Sequence, residues 1–145
     1  MRDDGVAEQV EYYRRRAPVY DQWWARRGSY ALPPQLHRQW FEDVAEIEQV
    51  VHDFAPTGDV LELACGTGLF TRLLVEHADR VTAVDASPEV LELNRQRLPD
   101  AAVERVVADV FAWEPPRGAF DSVVFTYWLS HVPDDHLAAF WASVG

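Results

Sequence analysis

Along the first third of the chain, apolar residues recur at helical spacing. Leu36, Trp40, Val44, Ile47, Val51 and Phe54 are separated by steps of three and four, which predicts one amphipathic helix of about five turns. The stretch before it, residues 7–27, is rich in aromatic residues and arginine, and Pro18 predicts its division into two short helices. Beyond Ala55-Pro56-Thr57-Gly58, a turn-type sequence, short apolar runs alternate with helical ones. Strands are expected at Val60–Leu63, Val81–Asp85, Val103–Val107 and Asp121–Phe125. Helices are expected at Leu69–His77, from Ser87 to about Leu98-Pro99, and after Pro133-Asp134-Asp135. Ser87 suits an N-cap with Pro88 at the first helical position, and the last helix shows an apolar face of Leu137, Phe140, Trp141 and Val144.

Strands alternating with helices imply right-handed crossovers, hence an α/β fold with a doubly wound parallel sheet. The turn near residue 55 divides the chain into segments 1–55 and 56–145. Four strands make a thin sheet, and the sequence stops at Gly145, within or just after the last helix. The expectation is the front part of a longer fold. The fourth strand would then be an apolar edge, covered by self-association or by a partner chain.

Composition narrows the functional classes. The 145 residues carry 13 basic and 24 acidic side chains, a formal charge of −11, and every basic residue is arginine. Such a charge opposes non-specific attraction to nucleic acid or to an anionic membrane. The single cysteine, Cys65, excludes an internal disulfide and a cysteine-based metal framework. His37, His52, His77 and His136 lack metal-ligand spacing, so no metal is expected. No signal peptide or membrane span is visible, which makes a soluble cytoplasmic protein the default.

Parallel sheets of this kind bind ligands beyond the carboxyl ends of their strands, so the residues just after each strand belong together. After the first strand comes Ala64-Cys65-Gly66-Thr67-Gly68, where two glycines bare the main chain to a ligand. A carboxylate inside a buried strand is unusual, and Glu62 is expected to brace the glycine loop by accepting backbone N–H bonds. Asp85 ends the second strand, 17 residues after Gly68, close to the spacing of an acidic residue that binds ribose hydroxyls. Asp109 suits an exocyclic amine, and Val110 with Phe111 offers apolar contact to a base. Together these groups describe an adenosine pocket.

The segments Glu62-Leu-Ala-Cys65-Gly66-Thr67-Gly68, Val84-Asp85-Ala86-Ser87, Ala108-Asp109-Val110 and Phe125 to Pro133 resemble those of class I S-adenosylmethionine-dependent methyltransferases, in particular the small-molecule type. The resemblance covers about residues 10–145. It implies a Rossmann-like sheet with strand order 3-2-1-4, and an N-terminal helical cap, residues 1–55, over the cofactor-binding core. It further implies that Gly66 and Gly68 pass along the methionine part of S-adenosylmethionine. Asp85 with Ala86 would hold the ribose, and Asp109 with Val110 would frame the adenine. Ala64, Cys65 and Phe125 belong to the same cofactor-binding set, and Tyr12 or Tyr20 of the cap would approach the methionyl carboxylate. The family's sheet has seven strands, and the last three are absent here.

Blander roles stand beside these. Two glycines also make a plain strand-to-helix turn, and Asp85 and Asp109 could be helix caps. Cys65 has no histidine nearby in sequence and suits a packing residue better than a nucleophile. His131 follows the fourth strand, where a general base would stand, but a structural histidine fits that turn too. Arg14, Arg15 and Arg16 read as the wet face of a helix before they read as an acidic-substrate site. The expected function is transfer of the sulfonium methyl group, in line, to a small-molecule acceptor. One alternative is an S-adenosylmethionine-binding module with little activity of its own. A nicotinamide-dependent oxidoreductase needs a third small residue, G-x-G-x-x-G or Ala, and here Thr71 occupies that place.

Overall fold

A computed structural model describes residues 4–99 and 102–145. Residues 1–3, included in the 1–55 segment, lie outside the described residues. The chain forms two compact units, Met1–Phe54 and Ala55–Gly145.

The first unit holds two helices, α1 (Asp4–Trp24) and α2 (Pro34–Phe54). Contrary to expectation, Pro18 does not divide α1. A proline removes one backbone hydrogen bond and kinks a helix most severely where its ring is confined. Pro18 is exposed, while Ala17 beside it and Trp24 less than two turns on are buried and anchor the helix near the lost bond. The indole N–H of Trp40 donates to the Trp24 carbonyl at 2.9 Å, and the Trp40 ring meets Trp23 and Trp24 edge-on. The Arg26 guanidinium lies 3.7 Å from the centre of the Trp40 ring. Along α2, Val44 and Val51 are buried, but Leu36 and Phe54 at the two ends of its apolar stripe are exposed.

The second unit contains β1 (Asp59–Leu63), α3 (Thr71–Leu74), β2 (Arg80–Asp85), α4 (Pro88–Arg97), β3 (Val103–Val107), β4 (Ser122–Val124) and α5 (Asp134–Val144). Its four strands are parallel and ordered β3-β2-β1-β4, the Rossmann-like arrangement expected. Side chains alternate between the faces of a sheet. Leu61, Leu63 and Val84 line one face with Phe140 of α5, joined by Val106, Val123 and Phe125. The opposite face carries the row Glu62–Ala83–Arg105, adjacent in register across β1, β2 and β3.

Three elements differ from expectation. The helix foreseen over Leu69–His77 keeps one regular turn. Past it, Glu76 and His77 donate to carbonyls three residues back, and that tighter winding carries the chain toward β2. The fourth strand stops short of Asp121 and Phe125. Asp121 is occupied at the sheet's start, where its carboxylate accepts the Asp59 N–H at 2.9 Å. On α5, Phe140 is buried while Trp141 is 51% exposed, so the apolar face is narrower than its sequence spacing. Ser87 caps α4 as expected, with its hydroxyl accepting the Val90 N–H at 3.3 Å.

Candidate cofactor site

The turn that leaves β1 holds Ala64, Gly66 and Gly68 at φ of 51°, 57° and 93°. Three left-handed residues in five keep the loop from continuing the strand or entering a helix early. The two glycines serve different ends. A Cβ on Gly66 would meet nothing within 4 Å, so this glycine opens space beside the loop. A Cβ on Gly68 would lie 3.1 Å from Asn94 Nδ2, so that glycine lets α4 press against the loop.

Asp85 ties the loop to β2. Its Oδ2 accepts the Gly66 N–H at 3.0 Å, and its Oδ1 accepts the Ser87 N–H at 3.1 Å across a tight turn through Ala86. A carboxylate has about four acceptor positions, so two protein bonds leave capacity for a vicinal diol. Burial raises the Asp85 pKa, opposed by these same backbone N–H groups.

Glu62 departs from its expected role. Its Oε2 accepts the Thr71 hydroxyl at 2.5 Å, rather than backbone N–H groups of the loop. Burial pushes its pKa up to about 8, with a smaller contribution from the nearby Asp85 charge and against the effect of Thr71. Near neutral pH this side chain is therefore mainly protonated, a neutral hydrogen-bonding strut. The bracing of the loop falls instead to Asp85 and to two residues that the strand-end reading did not include. Asn94 Nδ2 donates to Thr71 Oγ1 at 3.1 Å and to the Gly66 carbonyl at 3.4 Å, and Arg97 Nε donates to the Thr67 carbonyl at 3.0 Å. Cys65 is buried, and its thiol pKa is raised well above the ordinary value, chiefly by that burial. It packs; a thiolate nucleophile is not available there.

The loop, the acid at the end of β2 and the ends of the neighbouring strands meet at one end of the sheet. The methyltransferase-domain family model matches residues 60–144, which spans this whole arrangement. The chain belongs to the methyltransferase-domain family. It is thus a class I S-adenosylmethionine-dependent methyltransferase domain by sequence and fold. A malonyl-[acyl-carrier protein] O-methyltransferase of Paenibacillus sp. (strain JDR-2) is 34% identical over 116 residues, which cover 72% of this chain and 42% of that protein. A ubiquinone biosynthesis O-methyltransferase of Xanthomonas campestris pv. campestris (strain B100) is 33% identical over 54% of this chain and 34% of its own length. Among solved structures, a complex of DhpI with SAH superposes with a TM-score of 0.75 at 40% identity, over 96% of this chain and 61% of that one. The chain therefore spans about two-fifths of the length of the malonyl-[acyl-carrier protein] relative and about three-fifths of DhpI.

Within this methyltransferase domain the remaining candidates fall in several places. The exposed Asp109 follows β3, and its Oδ1 accepts the Phe111 N–H at 2.9 Å. Val110 and Phe125 are partly buried against the cluster of Leu61, Leu63, Val84 and Phe140. The Phe111 ring packs on Trp128 and His136, with centroids 5.3 and 5.0 Å away. His131 ends an exposed 3-10 turn, Leu129–His131, beyond β4. Tyr127 at the same strand end was not foreseen. It holds a left-handed φ of 55° and packs on Phe70 beside the glycine loop, with centroids 5.8 Å apart. A bulky residue at positive φ leaves no mark in a sequence pattern. Tyr12 and Tyr20 lie on α1 of the first unit; the Tyr12 hydroxyl accepts from Arg16 at 2.6 Å, and Tyr20 packs on Trp23. No described helix is long and apolar enough to cross a membrane.

Proposed function

We propose that this chain binds S-adenosylmethionine and supports in-line transfer of its methyl group to a small-molecule acceptor, in the cytoplasm. The observation that carries the reading is the Asp85 carboxylate. It is fixed by two backbone N–H groups against the glycine loop and retains acceptor capacity for a ribose. Asp85 with Ala86 receives the ribose in this reading. Ala64, Cys65, Gly66 and Gly68 supply the main chain along the methionine part, with Glu62 behind them. Asp109 and Val110 frame the adenine, and Phe125, just past β4, backs the site. The helical unit 1–55 acts as a cap that brings Tyr12 or Tyr20 to the methionyl carboxylate.

The cofactor, when bound, supplies a methyl group made labile by positive sulfur. The protein's part is to align and to exclude water, which needs no covalent catalyst. His131 is the candidate base for an acceptor that keeps its proton. The small-molecule class is supported by the relative named for ubiquinone biosynthesis, whereas the malonyl-[acyl-carrier protein] relative is named for an acyl group carried on a protein. Thr71 argues against a dinucleotide: the position a Rossmann fingerprint keeps small is a buried hydroxyl bonded to Glu62.

Titration calorimetry with S-adenosylhomocysteine, with NAD as the comparison ligand, tests the reading. Binding of the former, weakened about 100-fold or more by Asp85→Asn through the loss of charged hydrogen bonds, is expected. Binding of NAD alone would overturn it.

A further inference from the structure

Four polar side chains form a continuous path on the α4 side of the sheet. Arg105 Nε of β3 donates to Asn94 Oδ1 at 2.9 Å. Asn94 donates onward to Thr71, and Thr71 to Glu62. Glu62, Thr71 and Asn94 are each 1% exposed or less. From the same helix face, Asn94 and Arg97 reach the carbonyls of Gly66 and Thr67. Packing alone explains none of this, since an apolar side chain at 94 would fill the same space without desolvating an amide.

We propose that Asn94 and Arg97 are positioning residues that set cofactor affinity by fixing the glycine loop through its carbonyls, with Arg105 orienting Asn94. This rests on the cofactor-binding reading for its ligand, but the loop-fixing itself does not. A peptide plane has two sides. Holding the Gly66 and Thr67 carbonyls toward α4, while the Gly66 N–H is held by Asp85, removes the rotations by which a loop with three left-handed residues would otherwise wander. A loop fixed beforehand gives up less freedom when the ligand arrives. Arg105 donates its Nη2 to the Leu98 carbonyl at 3.1 Å as well, so the amide of Asn94 is held at a fixed angle from the end of α4. Gly68 belongs to the same device, because only a bare Cα admits Asn94 at this distance.

The test uses Arg97→Met and Asn94→Ala, with Arg95→Met as the control; Arg95 pairs with the exposed Glu92 on the same helix. Two readouts are taken on variants shown to be folded at the working temperature. The first is amide hydrogen exchange of Gly66 and Gly68 against that of Leu61 and Val84 without ligand. The second is the affinity for S-adenosylhomocysteine. The expected result is faster exchange in the loop alone, and affinity lower by roughly tenfold for Arg97→Met, the effect of one charged hydrogen bond. Arg95→Met changes neither. Asn94→Asp restores Gly66 exchange poorly, because it loses the N–H donors, whereas Asn94→Gln restores part of it. Loop exchange unchanged in both variants overturns the proposal, whatever binds. Faster loop exchange with unchanged affinity overturns the link to affinity. A wild-type protein that does not bind S-adenosylhomocysteine overturns the cofactor reading, and the exchange result still decides whether the loop is fixed from α4.

Discussion

Glu62→Gln should remove a pH dependence that lowers the stability of the wild type as pH rises. The folded protein holds the Glu62 carboxyl at a pKa of about 8, against 4.5 for the unconstrained group. A folded pKa raised above the unfolded one means that the native state keeps a proton the unfolded chain releases. Stability from this group is complete below the unfolded pKa, falls as pH rises through the window between the two, and is flat above the folded value. The loss is about 1 kcal/mol at pH 5, about 3 at pH 7 and about 5 at pH 9, taking 1.36 kcal/mol per unit. Glutamine mimics the protonated form and has no such window. It also accepts from Thr71, so any misfit of its amide adds an offset that does not vary with pH. Urea unfolding of both proteins at pH 5, 7 and 9 reads the difference directly. The variant should gain about 4 kcal/mol on the wild type between the extremes. Asp85 and every other titrating group cancel in that comparison to the extent that they do not couple to Glu62. A difference that stays constant across the range, or that moves the other way, refutes the claim that Glu62 is buried as a neutral acid.

The two glycines of the loop should separate by assay. Gly68→Ala meets both a left-handed φ and the Asn94 amide, and should lower stability by about 2 kcal/mol or more. Gly66→Ala meets only the left-handed φ; it should cost about 1 kcal/mol by urea unfolding and show its main effect on S-adenosylhomocysteine affinity, because its methyl group enters the open side of the loop. Ser87→Ala removes the cap bond to Val90 and should destabilise by about 1 kcal/mol, whereas Ser87→Asp should restore most of that by thermal melting.

The sheet was legible because its strands are written as apolar runs between turn signals, and the four runs at 60, 81, 103 and 121 became β1 to β4 in the expected order. Asp85 was legible because spacing after a glycine loop is a property of the chain itself. Asn94 was not. An asparagine inside a helix of charged residues looks like one more solvent position, and only the packing of α4 on the sheet turns it inward. Arg105 failed for the same reason: beside Glu104 in β3 it reads as one more solvent position, and nothing local says that its face is covered by a helix. Pro18 misled in the opposite direction, since a breaker's effect depends on whether its ring is confined, which is a tertiary matter.

The direction of the hydrogen bonds explains why so many polar groups are tolerated in the core. Arg105 donates to Asn94, Asn94 to Thr71, and Thr71 to Glu62, so these three donors each meet an acceptor. Aligned donors reinforce one another where the surroundings are dry. The path begins at a cation and ends at a carboxyl, an order that favours an ionised Glu62, yet burial with Asp85 close by still pushes its pKa to about 8. The two carboxyls therefore divide the work. Glu62 gives up its charge and holds Thr71, while the loop itself is braced by Asp85, Asn94 and Arg97. Asp85, whose backbone N–H groups on both oxygens oppose the upward pull of burial on its pKa, is the acid placed to meet a ligand. Removing the charge from Asp85 should therefore lower binding, while removing it from Glu62 should leave binding intact and flatten the stability profile. A protein in which those two substitutions act alike would not be built in this way.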